Sequence, residues 1–175
     1  MDSEELVQRY ARVIYNLALR LAGDPADAAD IAQDSLIKAL NGLPSFRGGD
    51  AGVWVYRITV NAWKNFLRAK SSRRMLRFFS ADGEGVESEP SGVPSRELGP
   101  ESLAEKADEK ARIESALKRL TPEERAVLVL RELDGRSYDE IAAVLDIPLG
   151  TVKSRLARAR IVLAEFLSEV KPDGA

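Results

Sequence analysis

The stretch SYDEIAAVLDIPLGTVKSRLARAR, from Ser137 to Arg160, decides how the chain is read. Ser137 with Glu140 three residues later is the reciprocal pair of a capping box, so a helix starts there and runs through Leu145. Ile141, Val144 and Leu145 give it an inward face. Asp146, Ile147 and Pro148 turn the chain. A second helix is predicted from about Leu149 to Val170, on which Val152, Leu156, Ala159 and Leu163 form one apolar stripe. Thr151, Ser154, Arg155 and Arg158 gather on another face, flanked by Lys153 and Arg160. A short helix, a tight turn and a longer basic helix make a helix-turn-helix unit.

This separation of faces has a chemical use. One stripe anchors the second helix, and the other reaches base edges and phosphates in a major groove. An Arg guanidinium can donate to two acceptors of guanine, and Lys and Ser can reach bases or phosphates. The competing reading is a basic helix whose charged face is simply solvated. The capped helix and turn ahead of it weaken that reading, because a solvated face needs neither. The motif alone does not distinguish among the many DNA-binding families that use it.

Working outward, Thr121-Pro122-Glu123-Glu124 is a second capping box with Pro at the first helical position, and Gly135 closes the helix it starts. Ile113, Ala116, Leu117 and Leu120 carry helical periodicity before it. At the other end of the chain, Leu6, Tyr10, Val13, Leu17 and Leu21 predict an amphipathic helix ended by Gly23. Asp24-Pro25 restarts a second helix, which buries Ala28, Ile31, Ser35 and Ala39. A turn at Gly42, Pro44, Gly48 and Gly49 leads to Asp50, which can cap a third helix through the Trp54 to Arg68 stretch. No segment alternates with a period of two between turns, so the fold class is all-α.

From about Phe79 the texture changes. Gly83, Gly85, Pro90, Gly92, Pro94, Gly99 and Pro100 interrupt any period, and large apolar residues are sparse. Two small helical domains are expected, at 1–77 and 109–175, joined by an acidic flexible linker at 78–108. The formal net charge of -2 argues against a nucleic-acid binder only until its distribution is read. Lys64, Arg68, Lys70, Arg73, Arg74 and Arg77 form one basic cluster, and Lys153, Arg155, Arg158 and Arg160 another. The linker holds the balancing acids, among them Asp82, Glu84, Glu87, Glu89, Glu97, Glu101, Glu105 and Asp108.

On the third helix, Arg57, Asn61, Lys64 and Arg68 share one face. Trp54, Tyr56, Trp63 and Phe66 lie on the same helix, and Phe46 precedes it in the loop Phe46-Arg47-Gly48-Gly49. Basic groups interleaved with aromatics suit single-stranded nucleic acid, with phosphates tracked by charge and bases stacked on rings. Aromatics at helical spacing also serve as core, and Trp54 is expected to be largely structural. The second helix carries the acidic stripe Asp27, Asp30 and Asp34 with Gln33 beside it. Asp27 suits the positive end of a helix dipole, and the stripe equally suits a protein-binding face.

The chain contains 0 Cys and 0 His, which removes disulfides, zinc fingers, Cys nucleophiles and His-based catalysis. The remaining acids fall on helix faces, without a Gly-rich phosphate loop or a paired-carboxylate pocket. No catalytic residue, metal, cofactor or small-molecule substrate is therefore expected. No apolar run approaches the ~18 residues of a membrane span. Asp2, Glu4 and Glu5 are unlike the start of a secretory signal, so a cytoplasmic protein with no membrane insertion is expected.

Together these segments resemble the extracytoplasmic-function sigma factors of bacterial RNA polymerase, with the envelope-stress members most similar in pattern. DAADIAQDSLIKAL from Asp27 to Leu40 resembles the core-binding part of region 2. SFRGG from Ser45 and WVYRITVN from Trp54 to Asn61 resemble the promoter-melting element. Leu120 to Gly135 and Ser137 to Arg160 resemble region 4. The resemblance implies that Asp30, Gln33 and Asp34, with Asp27, Ile37 and Lys38 along the same stretch, dock on the clamp helices of the polymerase's largest subunit. It implies that Phe46 captures a flipped minus-10 base, that Asn61 contacts a base, and that Arg57, Lys64 and Arg68 lie on the DNA face. Thr151, Lys153, Ser154, Arg155 and Arg158 would read the minus-35 element, with the flap as a second polymerase contact. It further implies a connector in the active cleft and an anti-sigma partner. Asn65 stands where many members carry Asp, and Ala157 replaces a larger residue of some relatives. The alternative from the residues alone is a dimeric regulator that binds duplex DNA and opens nothing.

Overall fold

The structure, a computed structural model, describes residues 1–80 and 111–169. Helix α1, Ser3–Ala22, is started by Asp2, whose carboxylate accepts from the Glu5 N–H at 2.8 Å. Gly23, in the left-handed region at φ 79°, ends it. Helix α2, Pro25–Gly42, starts the same way on Asp24, and it buries Ala28, Ile31, Ser35 and Ala39, the four residues its periodicity predicts. The buried Ser35 hydroxyl donates to the Ile31 carbonyl at 2.6 Å, so it carries no unmet polar cost. A short 3₁₀ turn, Leu43–Ser45, leads to the loop before α3.

Helix α3 spans Ala51–Ser80, longer than the sequence predicts. Asp50 does cap it, accepting from the N–H groups of Gly52 and Val53 at 2.8 and 3.2 Å. Beyond Arg68 there is no Gly or Pro until Gly83, so nothing local stops the helix, and it runs three residues into the span expected to be linker. The rest of that expected linker lies outside the described residues. The buried residues of α3 are Val55, Tyr56, Thr59, Val60, Ala62 and Trp63. At 100° per residue they cover an arc of about 160°, wider than the stripe one neighbour needs. Accordingly α3 packs on α1 and α2 with one part of the arc and on α6 with another.

The C-terminal unit begins with a helical stretch at 111–118, here α4. Helix α5, Pro122–Leu128, opens on the expected capping box, with the Thr121 N–H donating to Glu124 at 3.0 Å and the Glu124 N–H to the Thr121 hydroxyl at 3.3 Å. It continues as a wider π turn, Val129–Leu133, closed by the Asp134 N–H donating to the Val129 carbonyl at 3.1 Å. The sequence predicts a plain helix here, because a π turn leaves no mark on apolar spacing; Gly135 still ends it, at φ 65°. Helices α6, Tyr138–Leu145, and α7, Leu149–Glu169, follow.

All regular elements among the described residues are helical. The two helical units are not held apart. One continuous buried cluster runs from Leu17, Leu21, Val60 and Trp63 into Leu120, Val127, Ile141 and Val144. A second cluster, with Leu6, Ile14 and Val55, belongs to the N-terminal unit alone. Trp63 is 1 % exposed and is the largest fully buried side chain. Trp63→Ala is expected to cost about 3–5 kcal/mol, read as a lower urea midpoint in equilibrium unfolding of the full chain.

Candidate nucleic-acid interface

Helix α7 shows the division of faces that its sequence predicts. Val152, Leu156 and Ala159 are buried and Leu163 is half-buried, which seats the helix on the rest of the unit. Lys153, Ser154 and Arg158 are exposed, and Thr151 and Arg155 are half-buried. The turn before α7 is set by Asp146 in the left-handed region at φ 56°, a conformation that Asp tolerates better than most residues. The Pro148 carbonyl then accepts from the Thr151 and Val152 N–H groups at 2.9 and 3.2 Å, which starts α7 at a defined angle. Arg160, read from the sequence as a flanking basic residue, donates to Glu132 and ties α7 back to the π turn.

On α3, Asn61 and Arg68 are exposed, and the Arg68 guanidinium donates to Asn65 at 3.0 Å. Arg57 and Lys64 face the C-terminal unit. Arg57 donates to the Ala143 carbonyl and lies 3.9 Å from Asp146. The Lys64 ammonium lies 4.0 Å from Glu123. Burial holds the Lys64 pKa below its ordinary value; Glu123 pulls it up, and the positive charges of Arg155 and Arg68 push it down again.

The aromatics divide. Trp63 and Tyr56 are core. Trp54 is half-buried, and its ring lies 4.8 Å from that of half-buried Phe46. Phe46 is thereby held at the mouth of the loop by the helix it precedes. Gly48 and Gly49 sit at φ 95° and 97°, where a side chain would be strained, so this loop conformation requires both glycines.

The acidic stripe of α2 lies on the surface but is partly neutralised. Asp27 pairs with Lys70 at 2.6 Å, which fastens the start of α2 to α3, and Asp34 pairs with Lys38 at 2.6 Å. Asp30 and Gln33 are exposed, as is Ile37, an apolar side chain at 50 % exposure between them and Lys38. A second group of charged residues was not legible in the sequence. Arg20 forms an ion pair with Asp134, whose side chain is 2 % exposed. Arg136 stacks on Tyr56 at 4.3 Å while donating to Glu140 at 2.9 Å. Arg20 and Asp134, like Arg136 and Tyr56, lie on different units, so no spacing rule connects them; Arg136 and Glu140 are four residues apart within one unit.

Two families match the chain in series: Sigma-70 region 2 over residues 6–73 and Sigma-70 region 4 over residues 110–163. The chain is 40% identical over 159 residues to the ECF RNA polymerase sigma-E factor of Salmonella typhimurium, covering 89% of this chain and 81% of that one. It is 34% identical over 166 residues to the ECF RNA polymerase sigma factor SigE of Mycolicibacterium smegmatis, covering 95% of this chain but only 62% of the longer relative. Among solved structures, it is similar to the sigma factor RpoE of Bartonella quintana in complex with the anti-sigma factor NepR. There the TM-score is 0.65 and the identity 27%, over 96% of this chain and 98% of that one. It is similar as well to CnrH in complex with the cytosolic domain of CnrY, at TM-score 0.65 and 26% identity over 97% and 89% of the two chains.

The chain belongs to the extracytoplasmic-function sigma factors of RNA polymerase. Its function is that of a sigma factor: promoter-specific initiation of transcription. The region 2 match accounts for the N-terminal half, which a bare helix-turn-helix regulator would leave unexplained. Among the described residues no helix is long and apolar enough to cross a membrane.

The capping box of α6 gives the stability of the chain a pH dependence. The Ser137 N–H, and then the Arg136 guanidinium, hold the Glu140 pKa below its ordinary value. A depressed carboxyl pKa adds stability above the unfolded value, and that stability is lost as the pH falls through the folded one. Between neutral pH and pH ~3, the urea midpoint of wild type is expected to fall more than that of Glu140→Gln. Parallel losses would show that this cap carries no proton linkage.

Proposed function

We propose that the chain divides promoter recognition between its units. The C-terminal unit enters the major groove at the minus-35 element with Thr151, Lys153, Ser154, Arg155 and Arg158. Phe46 takes a base turned out of the minus-10 non-template strand, and Arg57, Asn61, Lys64 and Arg68 hold the strand along α3. Stacking of unpaired bases contributes about 1–3 kcal/mol per base, which offsets the cost of opening the duplex. The α2 face with Asp27, Asp30, Gln33, Asp34, Ile37 and Lys38 docks on the clamp helices, and the C-terminal unit meets the flap. In this reading 1–77 and 109–175 are the two functional domains and 78–108 the connector. The chain itself makes and breaks no bonds; that chemistry belongs to the polymerase. Its place of action is the cytoplasm. RpoE and CnrH have been seen with NepR and CnrY, and this chain takes an anti-sigma partner of its own.

The observation that carries this reading is α7, a helix seated by buried Val152, Leu156, Ala159 and Phe166 with Lys153, Ser154 and Arg158 left exposed. Run-off transcription with purified core polymerase tests it, and no initiation on any promoter of the source genome would overturn it. Arg158→Ala is expected to weaken minus-35-dependent initiation by roughly 10- to 100-fold, the equivalent of about 1–3 kcal/mol for a base contact. Reversing charge on α2 with Asp30→Lys and Asp34→Lys is expected to lower affinity for core polymerase in a pull-down titration, while the variant's circular dichroism spectrum stays unchanged.

A further inference from the structure

The π turn that ends α5 is wider than an α-helical turn. The Asp134 N–H donates to the Val129 carbonyl at 3.1 Å rather than to that of Leu130, and the Leu130 carbonyl accepts instead from the Arg136 N–H at 2.9 Å. Val129 and Leu130 stay buried. The next two side chains reach to different helices. Arg131 stacks on Tyr138, the first residue of α6, at 4.9 Å and donates to the Arg136 carbonyl at 2.9 Å. Glu132 accepts from Nε and Nη2 of Arg160 on α7 at 3.2 and 2.5 Å. Two neighbouring residues thus tie one turn to both helices of the helix-turn-helix unit. Wide turns of this kind recur at functional sites.

By charge alone, Arg160 reads as a phosphate contact. At 100° per residue it returns to within about 20° of Lys153, seven positions earlier, so both lie on one flank of the reading helix. Lys153 is exposed and has no acid partner among the described residues. The Arg160 guanidinium is already engaged. Its bond to Glu132, against desolvation and with help from Tyr138, holds its pKa above the ordinary value.

Stability does not account for this pair. Its side chains are 54 and 45 % exposed, and pairs so open to solvent contribute little. Orientation does account for it. The apolar stripe of α7 resists separation, but apolar attraction has no direction and leaves the helix some freedom to roll. Reading base edges requires side chains held within about 0.5 Å and 10–20°. A contact through two nitrogens at the flank of α7 restricts that roll.

We propose that Glu132 is a positioning residue for minus-35 recognition: through Arg160 it fixes the roll of α7 in the groove, and Arg160 serves the helix rather than a phosphate. The proposal rests on the minus-35 role given to α7 above. Its expected effect has the opposite sign to simple electrostatics. Glu132 is an acid beside a DNA-binding helix, so removing its charge would by itself strengthen binding to any duplex. Loss of a positioning residue weakens binding to the intact element alone.

The test compares holoenzymes assembled from core polymerase and the full chain. Each is titrated, over a series of KCl concentrations, with a promoter fragment on which wild type initiates and with the same fragment after scrambling of its minus-35 element. Glu132→Gln is expected to lower the preference for the intact fragment by about two- to fivefold, the most that a pair of this strength can enforce. The scrambled fragment is bound as tightly as before or tighter. Arg160→Gln is expected to lower the preference equally with an unchanged salt slope, and the double variant to lose no more than either single one. Arg160→Lys, which keeps the charge and a donor, is expected to recover part of the preference. Should Glu132→Gln misfold by circular dichroism, Glu132→Asp shortens the reach with the charge kept and is expected to show the same loss. An unchanged preference in the Glu132 variant would overturn the proposal. A salt slope smaller by about 0.9 in Arg160→Gln would overturn it too, because that is the mark of one lost phosphate contact. Wild type is read separately: if it does not distinguish the two fragments, the minus-35 reading of α7 falls. If wild type distinguishes them and the Glu132 variant does so equally well, only the positioning role is lost.

Discussion

The burial of α3 on two sides is the constraint from which the rest of the molecule follows. Its buried arc, from Ala62 through Trp63 to Val60, is too wide for one neighbour. Part of it packs against α1 and α2 and makes the N-terminal unit. The remainder must meet something else, and in this structure it meets α6. The basic residues of α3 occupy the arc left over, so where the C-terminal unit sits decides whether Arg57 and Lys64 face protein or solvent.

Charge is handled in keeping with this. A net charge of -2 conceals basic faces that are kept in place by local acids: Asp27 for Lys70, Glu123 for Lys64 and Glu132 for Arg160. Pairs with at least one partner open to solvent, as here, contribute little stability in water. Those of Lys70 and Lys64 can be exchanged for phosphates at small cost, which suits a protein that must be both stable when free and able to take up DNA. The Arg20 pair with buried Asp134 differs from them, because Asp134 has no solvent to return to while the contact holds.

Helix-turn-helix geometry depends on short-range features that leave marks in sequence. The capping boxes at Thr121 and Ser137, the inward residues of α6 and the stripe of α7 are all matters of residues three or four positions apart. These were legible, and so were the four buried residues of α2. The end of α3 was not, since the helix runs to Ser80 with no Gly or Pro to mark a stop. The π turn after α5 was not legible either, because a single wider turn leaves apolar spacing nearly unchanged.

By itself, then, the sequence determined the all-helical class, the positions of the caps and turns, and the separation of apolar and basic faces on α3 and α7. The physical reason is that each depends on backbone geometry repeating over a few residues. Only the tertiary structure decided which aromatics are core, Trp63 and Tyr56 rather than Phe46, and that Arg57 and Lys64 face Ala143, Asp146 and Glu123. Those facts depend on pairs of residues far apart in the chain, such as Arg57 and Ala143 at a separation of 86, brought together by burial of a shared apolar surface. Hydrophobic attraction has no direction, so no local pattern in the chain records which face it will close upon.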